Sequence, residues 1–168
     1  VPRRQELFEK YRPDIVFHLA APPSDAGADD VETYLSLSLR LMDSAAASGT
    51  SRFINVGTWW QFDERGCVRP ANLYAAAKQG VHDLLTHYAA RGLSSCSAIP
   101  FDVYGPGDWR GRFVSRLCAS LDKSIDSTEG AQEIDLIHVN DVVDGLLAAA
   151  AAPMEPGICP TYTLGSGR

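Results

Sequence analysis

Apolar residues along the chain follow two alternating rhythms. Leu7, Phe8 and Tyr11 recur at helical spacing, which predicts a helix over 3–12 closed by Pro13 and Asp14. IVFHLAA (15–21) is then a continuous apolar run, as expected of a strand buried on both faces. The pattern repeats: a loop over 22–30, a long helix over 31–48 with Gly49 as its C-cap, and a second buried strand, FINVGT, over 53–58. A polar loop runs to Pro70. A helix follows over 71–90, ending near Gly92, and then a strand over 94–103. Residues 111–121 read as a helix, 133–139 as a short extended segment, and 142–152 as a helix capped by Asn140 or Asp141. TYTLG (161–165) is the last strand. Strands alternating with helices predict an α/β fold with a parallel sheet and flanking helices, in a single domain. No apolar run approaches the length of a membrane span, and the polar start has no signal-peptide core.

Composition narrows the partners. With 21 acidic and 15 basic residues the formal net charge is −6, which argues against nucleic acid or an anionic membrane. Cys67, Cys96, Cys118 and Cys159 share no metal-binding spacing and are too sparse for a disulfide framework. No metal is expected, and free thiols fit a cytoplasmic protein.

The sharpest chemistry lies in Tyr74-Ala-Ala-Ala-Lys78. Positions i and i+4 share a helix face, and an ammonium beside a phenol lowers its pKa from about 10. A tyrosine so tuned can exchange a proton with a substrate hydroxyl or carbonyl. The plainer alternative is a solvated surface pair. Thr58 ends the second strand, where parallel sheets place ligands. Its hydroxyl could bond a substrate oxygen or simply satisfy a loop amide. Trp59 and Trp60 follow as stacking surface or core. His18 reads as a satisfied core histidine and His138 as structural. Arg110 and Arg112 could meet a diphosphate or be ordinary loop arginines.

IVFHLAA, FINVGT, NLYAAAK, PFDVYGPGD and IDLIHVNDVVDGLLAA stand in an order and spacing that resembles the extended short-chain dehydrogenase/reductase family. Its members include NAD-dependent epimerases and dehydratases of nucleotide sugars. GTWWQF, NLYAAAKQ and EIDLIHVNDVV look most like the subgroup acting on CDP-linked deoxysugars. The resemblance implies a Rossmann-type domain with Thr58, Tyr74 and Lys78 as the catalytic set. Lys78 would also hold the nicotinamide ribose of NAD or NADP. Ala20, Ala21, Pro100 and Val103 would line the cofactor, with Trp59, Asp102 and Arg112 toward the nucleotide-sugar substrate. The family's helix asparagine has no clear counterpart; Tyr34 or Ser36 falls near its place. The family's GxxGxxG turn does not occur in the sequence. The resemblance therefore implies an incomplete cofactor site and a chain cut at both ends, with most of the C-terminal substrate lobe lying beyond it and IVFHLAA at a sheet edge. Homodimers on the two long helices are expected. A non-catalytic remnant that has lost cofactor binding, and a reductase of small carbonyl compounds, are the alternative readings.

Overall fold

A computed structural model of the protein describes residues 2–120 and 130–167. Four strands form one parallel sheet in the order β1-β2-β3-β6: β1 (Ile15–His18), β2 (Arg52–Val56), β3 (Ser95–Pro100) and β6 (Thr161–Leu164). Helices α2 (Ala28–Ser48) and α3 (Leu73–Ala89) cover one face, and α5 (Val139–Ala151) covers the other; α1 (Pro2–Tyr11) packs on α2. The strand period sorts the side chains between these layers. Phe53 joins Tyr34, Met42, Val81 and Leu85 beneath α2 and α3, while Ile54, Cys96 and Ala98 meet Val142 and Leu146 of α5.

Several expectations are refined. Helix α2 starts three residues early, where Asp30 accepts a hydrogen bond from the Gly27 N–H at 3.1 Å and two acidic residues suit the positive helix N-terminus. Gly49 closes it in the left-handed region at φ 76°, which a side chain would strain. The strand expected over 94–103 breaks at Phe101. Its end becomes β4 (Asp102–Tyr104), which leaves the main sheet to pair in parallel with β5 (Leu136–His138). The physical cause is a change of partner: Phe101 N–H donates to Leu164 of β6, and the next N–H, of Asp102, donates to Asp135 ahead of β5. Helix α5 is capped by His138, whose Nδ1 accepts from Asn140 N–H at 3.2 Å, in place of Asn140 or Asp141. Helix α4 (Phe113–Ala119) ends within the expected span; position 121 lies outside the described residues.

His18, Asn55 and Ser97 are register partners on adjacent strands and are buried together. Asn55 bonds His18 Nδ1 at 3.2 Å and Ser97 at 3.2 Å, and the chain of contacts continues to Ser38 on α2 and His82 on α3. His18 is thus a satisfied core histidine. Burial, opposed by the Asn55 bond, holds its pKa below the ordinary histidine value.

The run 15–21 is not buried on both faces. β1 is a sheet edge, and Ile15, Phe17 and Leu19 are exposed. An apolar, unpaired edge recruits other strands. The 168-residue chain in isolation is expected to self-associate in light scattering, and Phe17→Lys with Leu19→Lys should suppress this; a monodisperse wild-type monomer would contradict it.

Candidate active site

The C-terminal ends of β1 and β2 converge with the first turns of α3. Helix α3 is set by Asn72, whose Oδ1 accepts from Ala75 N–H at 2.9 Å. That cap starts the helix whose first two turns carry Tyr74 and Lys78. Thr58 lies just past β2 and caps the 3₁₀ turn Trp59–Gln61: its Oγ1 accepts from Trp60 N–H at 3.4 Å, and Gln61 Oε1 accepts from Thr58 N–H at 2.8 Å. Gly57 makes this turn possible, since a Cβ there would collide with Ile99 Cδ1 and Gln61 Oε1. Gly57→Ala should therefore cost about 1–3 kcal/mol in a denaturation measurement; unchanged stability would show that Gln61 can move aside.

Tyr74 is half-buried. Trp60 meets its ring edge-on at 6.2 Å, and Trp59 stacks on Phe101 at 6.5 Å, giving an aromatic wall beside the phenol. Burial raises the Tyr74 pKa above its ordinary value, opposed by Arg112, by the Thr58 hydroxyl and by Arg110. The phenol is therefore protonated at neutral pH, a state suited to donating a proton to a substrate oxygen.

This corrects the expected electrostatics. Lys78 is not what tunes Tyr74, because its ammonium is turned away to the strand ends. It donates to Ala20 O at 2.9 Å and to Val56 O at 2.8 Å. The side chain is only 2% exposed, and burial pulls its pKa down to about 8.

The remaining candidates are grouped loosely. Arg112 pairs with Asp102 at 3.4 Å, and Arg110 with Asp108 at 2.7 Å, so both guanidinium groups already face a carboxylate. Pro100 and Val103 flank the sheet switch at Phe101 and are half-buried; Ala20 and Ala21 are exposed at the end of β1. A cavity of about 740 Å³ lies beyond β4, among Tyr104, Pro106, Trp109, Cys118 and His138, and does not include Tyr74 or Lys78. Sequence reasoning missed Phe101 as the partner of Trp59 and Val56 as a Lys78 acceptor. The position of Val56 at the end of β2, matching that of Ala20 beyond β1, was the available signal.

With this geometry in place, comparison with known proteins is decisive for the family. A family model described as "NAD dependent epimerase/dehydratase family" matches residues 2–165. The chain belongs to the NAD-dependent epimerase/dehydratase family. Among curated members, it is 28% identical over 142 residues to CDP-abequose synthase of Yersinia pseudotuberculosis, covering 80% of this chain and 50% of that protein. It is 29% identical over 170 residues to UDP-glucose 4-epimerase of Mycolicibacterium smegmatis (strain ATCC 700084 / mc(2)155), covering 85% and 52%. The solved structure of MoeE5 in complex with UDP-glucuronic acid and NAD aligns with a TM-score of 0.78 at 29% identity, over 92% of this chain and 57% of that one. The chain thus spans about half the length of the curated epimerase/dehydratase family members it matches. No described helix is long and apolar enough to cross a membrane.

Proposed function

We propose that this chain carries the catalytic residues of an NAD- or NADP-dependent enzyme that epimerises, dehydrates or reduces a nucleotide-linked sugar. The observation that carries this reading is the convergence of Thr58, Tyr74 and Lys78 at the ends of two parallel strands, with the Lys78 ammonium fixed by both strand-end carbonyls. Family membership and the ligands named for the relatives support it.

The residues present fit a nicotinamide ribose. Lys78 uses two of its three N–H donors on Ala20 and Val56, leaving one for a ribose hydroxyl. Ala20 and Ala21 are small and exposed at the end of β1, and the backbone at Pro100 and Val103 would approach the nicotinamide from the end of β3. When bound, the nicotinamide supplies hydride exchange with a sugar carbon. Tyr74 then donates or takes the proton at the oxygen on that carbon, and Thr58 orients the same oxygen. Trp59, stacked on Phe101, offers a surface for a base or sugar ring. Asp102 and Arg112 offer the substrate a carboxylate and a guanidinium that can exchange their mutual ion pair for ligand contacts. The reading extends to a cytoplasmic homodimer built on α2 and α3, which expose Leu39 and Leu73.

The test is an NMR product screen of the enzyme with NAD or NADP against CDP- and UDP-linked hexoses. Conversion of a sugar, abolished by Tyr74→Phe, is the expected result. Turnover of small carbonyl compounds alone, or cofactor-independent sugar binding without turnover, would overturn it.

A further inference from the structure

The Lys78 ammonium sits in a cradle with three sides. Two are the carbonyl oxygens of Ala20 and Val56, which accept hydrogen bonds. The third is an aromatic face: the ring centroid of Tyr34, on α2, is 5.2 Å from Lys78 Nζ. Tyr34 is only 4% exposed, so the contact is desolvated, the condition under which a cation gains most from a ring quadrupole.

The ring is itself held in place. It stacks on His18 at 5.8 Å with an interplanar angle of 25°, and His18 is tied on one side to Asn55 and on the other to Ser38, four residues along α2 from Tyr34. Ser38 also donates to the Tyr34 carbonyl at 2.8 Å. The buried ladder across β1, β2 and β3 thus ends on the ring that faces the lysine. The Tyr34 hydroxyl, by contrast, is buried with no hydrogen-bond partner of ordinary length among the described residues. A buried unpaired hydroxyl contributes nothing favourable to the packing, so the useful part of this side chain is the ring.

We propose that Tyr34 is a positioning residue for Lys78, its ring face pressing the ammonium onto the strand-end carbonyls of Ala20 and Val56. The consequence for activity rests on the reading of Lys78 given above; the contact itself does not. Two ionisable side chains face the ammonium, His18 from β1 and Tyr34 from α2; Tyr74 lies four residues earlier on the same helix as Lys78. Burial keeps His18 neutral, and both phenols are pushed above their ordinary values, so near pH 8 Lys78 titrates among uncharged neighbours.

The experiment follows the Lys78 ε-methylene signal by NMR as pH is varied in the cofactor-free protein. Tyr34→Phe keeps the ring and should leave the Lys78 midpoint where it is. Tyr34→Leu removes the ring and should lower the midpoint by about one unit, the scale of a desolvated cation–π contact. Replacing Tyr34 by 3,4,5-trifluorophenylalanine keeps the shape while draining the ring face, so it guards against a Leu variant that fails to fold; it should shift the midpoint in the same direction. A midpoint unmoved by fluorination, or a Phe variant that shifts as far as the fluorinated one, would overturn the proposal. A flat series combined with loss of cofactor binding in Lys78→Ala would remove Tyr34 from the account and leave the role of Lys78 standing.

Discussion

Tyr74→Phe should lower kcat by about 100-fold or more while leaving cofactor affinity near the wild-type value, the scale expected when a general acid–base is lost. The substitution keeps the ring, so the edge-on contact with Trp60 and the packing of α3 survive. Only the hydroxyl, and with it the contact to Thr58, is removed. Because burial raises the Tyr74 pKa, activity in the direction that needs a protonated phenol should persist through neutral pH and fall as the phenol ionises in alkali. Arg112 and Arg110 both oppose that rise. Arg112→Ala should therefore displace the alkaline limb upward, a direction readable in the pH–rate profile. Near-wild-type turnover in Tyr74→Phe would remove Tyr74 from the chemistry.

The second large effect is on stability. Lys78 falls from 10.5 in the unfolded chain to about 8 in the fold through burial alone. Between those values the unfolded state binds more protons than the folded one, so stability rises with pH across the interval. Below pH 8 the protein carries the full cost of a buried ammonium, and above pH 10.5 it carries none. The shift corresponds to about 3 kcal/mol. Lys78→Met removes the titration and, at every pH, leaves the Ala20 and Val56 carbonyls without their donor. The stability of wild type relative to Lys78→Met should therefore improve by about 3 kcal/mol between pH 8 and pH 10.5, with groups common to both proteins cancelling. Urea melts of the pair across that range would check it. Parallel curves would mean that the lysine titrates in the fold as it does in water.

The order of elements and their parallel pairing were readable in the chain because buried strands leave unbroken apolar runs and helices leave a 3.6-residue period. Gly49 as a stop and the position of IVFHLAA at an edge were readable too, the first from local conformation and the second from the family resemblance. The break at Phe101 was not, because PFDV stays apolar and extended while its hydrogen bonds pass from β6 to the segment before β5. That exchange depends on residues more than thirty positions away. The direction of Lys78 was hidden for a related reason. Spacing places Tyr74 and Lys78 on one helix face, but the length of the lysine chain and two carbonyl acceptors on separate strands decide where the charge goes. Capping of α5 by His138 likewise needed the local backbone, since Asn140 and Asp141 are the stronger caps by residue type.

The most direct test of the account is a single-turnover measurement of deuterium transfer between nicotinamide and sugar, run in both directions: a nucleotide sugar deuterated at the ring or chain carbinol carbons with oxidised cofactor, and a nucleotide-linked keto-sugar with C4-deuterated reduced cofactor. The account predicts that the wild-type protein moves deuterium between the two molecules in at least one direction, with transfer slowed by about 100-fold or more in Tyr74→Phe. Deuterium that stays on its starting molecule in both directions, or that transfers equally fast without the Tyr74 hydroxyl, would contradict it.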